Sequence, residues 1–148
     1  MSTNSGPKTS LEIFAQIRRQ INLLFTAQLK SLELGPKQAI MLKFIHKSPR
    51  SSHAQLARAT ATDPAAVGRA TDSLVKQGLI LREEHPQDRR QWVLILSKRG
   101  KEVMEPVNKI IESISEDFLY ALNGRERVQL KSLLKKIHGH LNKKERSS

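Results

Sequence analysis

Apolar residues recur every three or four positions from Leu11 through Phe14, Ile17, Ile21, Leu24, Phe25 and Leu32. That is the spacing of one helical face, and it predicts a long first helix over residues 11–33. Gly35 breaks the pattern. Pro36 suits the first turn of a second helix, which runs to about His46 with Ile40, Met41, Phe44 and Ile45 inward. "KSPRSS" reads as a loop, and Ser52 with Gln55 forms a capping box for a short third helix, His53 to about Thr60. Asp63 as N-cap and Pro64 as first helical residue open a fourth helix that continues to Gln77 and stops at Gly78. The period then changes. "LILREE" and "QWVLILS" are short β-rich runs around the turn-forming "HPQD", which predicts a hairpin. After Ser97 helical spacing resumes through Val103, Val107, Ile110, Ile111, Ile114, Phe118 and Leu122, with Pro106 expected to kink this run or to mark a late start. Asn123 and Glu126 cap a last helix carrying Val128, Leu130, Leu133, Leu134, Ile137 and Leu141. The opening "MSTNSGPKTS" and the closing "NKKERSS" are expected to be loose.

Helix, short helix, tight turn, capped helix and hairpin, in that order, is the layout of a winged helix-turn-helix. The expected fold class is therefore mainly α with a small β-hairpin. The chain reads as a single domain over residues 1–148, with a winged lobe at 36–100 flanked by long helices at 11–33 and 101–142. On the fourth helix Val67, Ala70, Thr71, Leu74 and Val75 share one side and must pack inward. Pro64, Ala65, Gly68, Arg69, Asp72, Ser73 and Lys76 are left outward, and with Ala66 they give an N-terminal half of small residues. A mid-helix glycine such as Gly68 costs about 1 kcal/mol against alanine. A helix that enters a groove has a use for small residues, because its backbone then approaches base edges closely, with Arg69 left to reach a guanine edge or a phosphate. Ser51, Ser52 and His53 stand where the third helix begins, and hydroxyls and amides at such a terminus suit phosphate contacts.

Charge strengthens this reading. Lys and Arg number 26 against 14 Asp and Glu in 148 residues, a formal net charge of +12 that favours a polyanionic partner. From Ile13 to Thr62 the only acid is Glu33, beside Arg18, Arg19, Lys30, Lys37, Lys43, Lys47, Arg50 and Arg58. At the hairpin tip, "HPQDRRQW", Arg89 and Arg90 are placed to follow a duplex into its minor groove. Asp88 is out of place beside phosphate unless its carboxylate pairs with an arginine and aims it. The absence of cysteine excludes disulfides, thiolate nucleophiles and thiol redox sensing. The five histidines show no metal-ligand spacing, no phosphate loop or nucleophile motif appears, and neither catalysis nor a cofactor is expected. No apolar run approaches the ~20 residues that span a membrane, and the start lacks a signal core, so no membrane partner and a cytoplasmic location are expected.

"GLILREEHPQDRRQWVLILSKRG" resembles the wing signature of the MarR family of transcription regulators through Gly78, Leu79, Ile80, Arg82, Asp88, Arg90, Leu96, Ser97 and Gly100. "LGPKQAIML" and "QLARATATDPAAVGRATDSLVKQGL" resemble the family's second-helix opening and its helix-turn-helix, so the likeness covers nearly the whole chain. It implies a homodimer joined through the N-terminal and the two C-terminal helices. It also implies binding of a pseudo-palindromic double-stranded operator, often released by a small phenolic or other anionic effector. Arg18, Arg19 and His46 are the candidates for holding such an effector. The competing reading is a sequence-tolerant architectural nucleic-acid-binding protein, which charge alone would allow.

Overall fold

The structure is a computed structural model that describes residues 9–147, so the opening stretch through Lys8 lies outside it. Its elements are α1 (Ser10–Leu29), a 3-10 turn (Lys30–Leu32), α2 (Pro36–Lys47), β1 (Ser51–Ser52), α3 (His53–Thr60) and α4 (Pro64–Lys76). They are followed by β2 (Ile80–Glu84), β3 (Trp92–Leu96), α5 (Lys98–Leu119) and α6 (Gly124–Arg146). The expected starts of α2, α3, α4 and α6 coincide with the observed ones. The local chemistry is also as read. Ser52 Oγ accepts from the Gln55 amide at 3.1 Å, Asp63 Oδ1 from the Ala66 amide at 2.9 Å and Asn123 Oδ1 from the Glu126 amide at 3.0 Å. Each satisfies a helix-terminal donor that would otherwise lack a partner. Pro106 lies inside an unbroken α5, and α6 continues through Arg146 where a frayed tail was expected.

The chain divides into two compact units, one through Glu112 and one from Ser113, with the division inside α5. In the first unit, Leu29 of α1, Met41, Leu42 and Ile45 of α2, Leu56 of α3, Val67 and Leu74 of α4, Ile80, Leu94 and Val107 form one fully buried core. The predicted inward face of α4 is the buried one: Val67, Thr71 and Leu74 have no exposure. The hairpin is one part of a three-stranded antiparallel sheet of order β1-β3-β2. Ser51 and Ser52, read as loop, pair with Leu94 and Val93 on the far side of β3. Two serines carry no apolar alternation, so β1 exists because the free edge of β3 offers partners, and the Arg50 amide extends the ladder to the Leu94 carbonyl at 2.9 Å.

The base of the hairpin is tied to α5 through backbone. Gly78 takes φ +71, a left-handed conformation natural to glycine, and ends α4. The Ser97 amide donates to the Leu79 carbonyl at 3.0 Å, Ser97 Oγ donates to the Gly78 carbonyl at 2.6 Å, and the same oxygen accepts from the Gly100 amide at 3.0 Å. Gly100 is buried there, and a Cβ at this position would stand 2.0 Å from the Leu79 carbonyl oxygen. Gly100→Ala must therefore push α5 off the hairpin base. It is expected to cost about 1–3 kcal/mol and to lower the melting temperature by several degrees, measured by thermal unfolding.

Candidate nucleic-acid interface

α4 presents its small-residue half to solvent. Pro64, Ala65 and Arg69 are exposed, while Ala66 and Gly68 are half-buried. A Cβ at Gly68 would meet nothing within 4 Å, so no contact inside the protein requires a glycine there. Arg69 and Lys76 point to the same exposed side of the lobe and form no ion pair within 4 Å among the described residues. Asp72, also exposed, is ion-paired to Arg82 of β2, which ties the outer face of α4 to the wing. That hydrogen bond holds the Asp72 carboxyl below the usual carboxylate range.

His53 welds α3 to α4. The Thr71 hydroxyl donates to the Val67 carbonyl at 2.9 Å and the Gly68 carbonyl at 3.0 Å, so Thr71 Oγ1 is left to accept from His53 Nε2–H at 3.2 Å. Burial, and then the positive charge of Arg82, push the His53 pKa down, with Asp72 opposing them. The first two effects favour the neutral form of the ring. Ser52 remains half-exposed at the start of α3, but its hydroxyl already serves the cap.

Three expected positions are differently employed. Ser51 is 4% exposed, with its hydroxyl turned to the Ser48 carbonyl, so it faces the interior and away from any phosphate. Ser73 is half-buried and its Oγ accepts from Gln38 Nε2 at 3.0 Å, which fastens α4 to α2. Asp88 does not pair with a guanidinium. Its Oδ1 accepts from the Arg90 backbone amide at 3.0 Å and its Oδ2 from Gln91 Nε2 at 3.3 Å. An aspartate two residues before an amide in a tight turn finds that donor sooner than a mobile guanidinium, so the carboxylate folds the turn and leaves Arg89 and Arg90 free and exposed. The tip is closed by the His85 amide on the Gln91 carbonyl at 3.0 Å, and Arg50 braces β2 from the β1 side through Glu83 at 3.6 Å.

The three residues expected to hold an effector are not brought together. Arg18 and Arg19 line a shallow concavity of about 510 Å³ along α1 with Ala15 and Asn22. His46 lines a separate one of about 210 Å³ with Ile95 and Lys101. No group of three or more His, Cys, Asp or Glu suited to a metal ion occurs among the described residues.

Residues 34–92 match the model of the MarR family. The HTH-type transcriptional regulator BilQ of Clostridium symbiosum is 30% identical over 94 residues, 64% of this chain and 65% of BilQ. The chain thus spans just under two thirds of that curated relative. A probable transcriptional regulator from Pseudomonas aeruginosa superposes with a TM-score of 0.80 at 27% identity, over 88% of this chain and 97% of that one. The MepR of S. aureus, solved in complex with DNA, superposes with a TM-score of 0.84 at 19% identity, over 90% and 99% of the two chains.

The environment of His53 sets a pH dependence. A histidine whose pKa is lowered on folding binds more protons in the unfolded chain, so its contribution to stability is present above the ordinary imidazole value, near 6.5, and is lost as pH falls from that value through the lower folded-state one. The lowered carboxyl of Asp72 acts in the same direction at lower pH, below the usual carboxylate range. The melting temperature is expected to fall between about pH 7 and pH 5.5. His53→Gln, which keeps a donor for Thr71, should flatten that segment of the profile, and an unchanged slope would assign it to other groups.

Proposed function

Because this chain belongs to the MarR family, we propose that it is a sequence-specific transcription regulator that binds double-stranded DNA as a homodimer, with repression of a pseudo-palindromic operator as its mode of action. The observation that carries this reading is the exposed half of α4. It is built of small residues around a glycine that no contact within 4 Å requires, with Arg69 and Lys76 exposed beside it and in no ion pair within 4 Å among the described residues. Such a face lets a helix backbone sit deep in a major groove while two long cations contact base edges and phosphates. Ser52 and the start of α3 supply phosphate contacts. The wing, whose tip holds Arg89 and Arg90 in a turn shaped by Asp88, supplies minor-groove cations. Solution of the similarly folded MepR with DNA supports the same use of this architecture.

The dimer is supported by apolar surface that a monomer would leave wet. Leu11, Ile13, Phe14, Leu23 and Leu24 are exposed on α1, as are Val128, Leu133, Leu134, Ile137 and Leu141 on α6. The second unit also carries a largely apolar concavity of about 590 Å³, lined by Phe118, Leu119, Leu130 and Leu134. A two-fold dimer carries two copies of α4, a paired reading that a sequence-tolerant architectural protein does not need. No helix among the described residues is long and apolar enough to cross a membrane. Release of the operator by a small anionic ligand belongs to the same proposal, with Arg18, Arg19 and His46 in separate concavities as its candidate contacts.

Selection of bound sequences from a random duplex pool tests the function. A two-fold motif with half-sites about 10 bp apart is expected, and recovery of no motif would replace it with sequence-tolerant binding. With the selected site in hand, Gly68→Ala separates folding from recognition. It should raise stability by about 0.5–1 kcal/mol and yet weaken operator binding, because the added methyl lies on the groove-facing side.

The wing gives a second test. Arg90→Ala is expected to weaken operator binding by about 1–3 kcal/mol. Asp88→Ala should weaken it as well, by about 1 kcal/mol, because the turn loses two acceptors. Simple attraction between polyions gives the opposite sign for removal of an acid. Asp88→Asn keeps an acceptor for the Arg90 amide and is expected to bind close to normally, measured by fluorescence anisotropy at two salt concentrations.

A further inference from the structure

A concavity of about 440 Å³ lies where the turn after α1, the end of α4 and the start of α5 meet in the first unit. Glu33, Lys76, Gln77, Arg99 and Glu102 contribute to its lining. The Gln77 side chain has a fixed orientation. Its Nε2 donates to the Glu33 carbonyl at 2.7 Å, and a carbonyl can only accept, so the amide cannot be turned over. Its Oε1 is consequently an acceptor that is buried and takes no hydrogen bond from the protein, an arrangement that folded chains rarely tolerate. The two cations and two carboxylates around the same space are in no ion pair with one another or with other described residues.

These groups discriminate among ligands. A simple anion would suit Lys76 and Arg99, but Glu33 and Glu102 would repel it. A simple cation meets the reverse difficulty. A small molecule with both an ammonium and a carboxylate meets all four charges: the carboxylate faces Arg99 and Lys76, and the ammonium faces Glu33 and Glu102. We propose that this concavity is a binding site for a small zwitterion of the free amino acid class. The site does not rest on the reading of α4 as a DNA-binding helix. Its regulatory consequence does, because Lys76 belongs to both, and an occupant that holds Lys76 draws it away from phosphate.

The experiment is isothermal titration calorimetry of the full chain, without DNA, against each of the twenty common free amino acids. At least one is expected to bind with a Kd below about 10 mM. Its N-acetyl and methyl ester derivatives, each lacking one charge, should bind about tenfold more weakly or worse, as should Arg99→Gln and Glu102→Gln at unchanged melting temperature. Absence of binding by all twenty, or undiminished binding by either derivative or by both variants, would overturn the site. Anisotropy with the selected operator then tests the coupling alone. The bound amino acid should weaken operator binding by a factor that Lys76→Gln removes, and an unchanged operator affinity would overturn the coupling while the calorimetry upholds the site.

Discussion

The approach of Gly100 to the Leu79 carbonyl is the constraint on which the winged lobe depends. α4 ends, the first wing strand begins, the second wing strand ends and α5 begins within a few residues of one another in space. All four events are held by backbone groups and one serine hydroxyl. With a side chain at position 100, the helix could not reach the carbonyl, and the angle between wing and α5 would be set by packing alone. Packing of apolar side chains is non-directional and tolerates small rotations, whereas three short hydrogen bonds around a glycine do not. The presence of Gly78, Leu79, Ser97 and Gly100 together in one sequence signature thus has a mechanical cause.

From this fixed base, the direction of the wing relative to α4 is refined by charge. Asp72 on α4 grips Arg82 on β2, and Arg50, before β1, reaches Glu83 on the same strand. These pairs are exposed, and each adds little to global stability. Their effect is on register: they link the groove-facing helix to the strand that carries the tip, so the two surfaces proposed to touch one duplex move as a unit. His53, half-buried between α3 and α4 and bonded to Thr71, performs the corresponding service inside the helix-turn-helix.

Much of this architecture was legible in the sequence because it is written in local chemistry. Capping residues, Pro64 at a first turn and the buried stripe of Val67, Thr71 and Leu74 act within a few residues of themselves, and the elements appear where they predict. What escaped depends on partners distant in sequence. The strand at Ser51 and Ser52 exists through Leu94 and Val93, the inward turn of Ser73 through Gln38, and the orphaned acceptor of Gln77 through Glu33. Asp88 shows a different limit. Its position in the turn was legible, but two acceptable partners competed for one carboxylate, and only geometry shows that the nearby amide wins over the guanidinium. The candidate effector contacts were taken from helices expected to lie near one junction, and local sequence does not measure the distance that leaves Arg18 and Arg19 in one concavity and His46 in another.

The strand order has a consequence for the behaviour of the protein in concentrated solution. β3, with the sequence WVLIL, is uncharged, lacks proline and glycine and is rich in β-branched and aromatic residues, the composition of a segment prone to cross-β stacking. It lies in the middle of the sheet, with β2 along the whole of one edge and β1 covering Val93 and Leu94 of the other. The strands that flank it are poor templates for a further chain: β1 is two serines long, and β2 carries Arg82, Glu83 and Glu84. Colloidal stability therefore resides in the two weakest strands of the molecule. A lesion that detaches β1 or frays β2 harms the lobe less by the contacts it removes than by the edge it uncovers, and it would appear first as concentration-dependent aggregation.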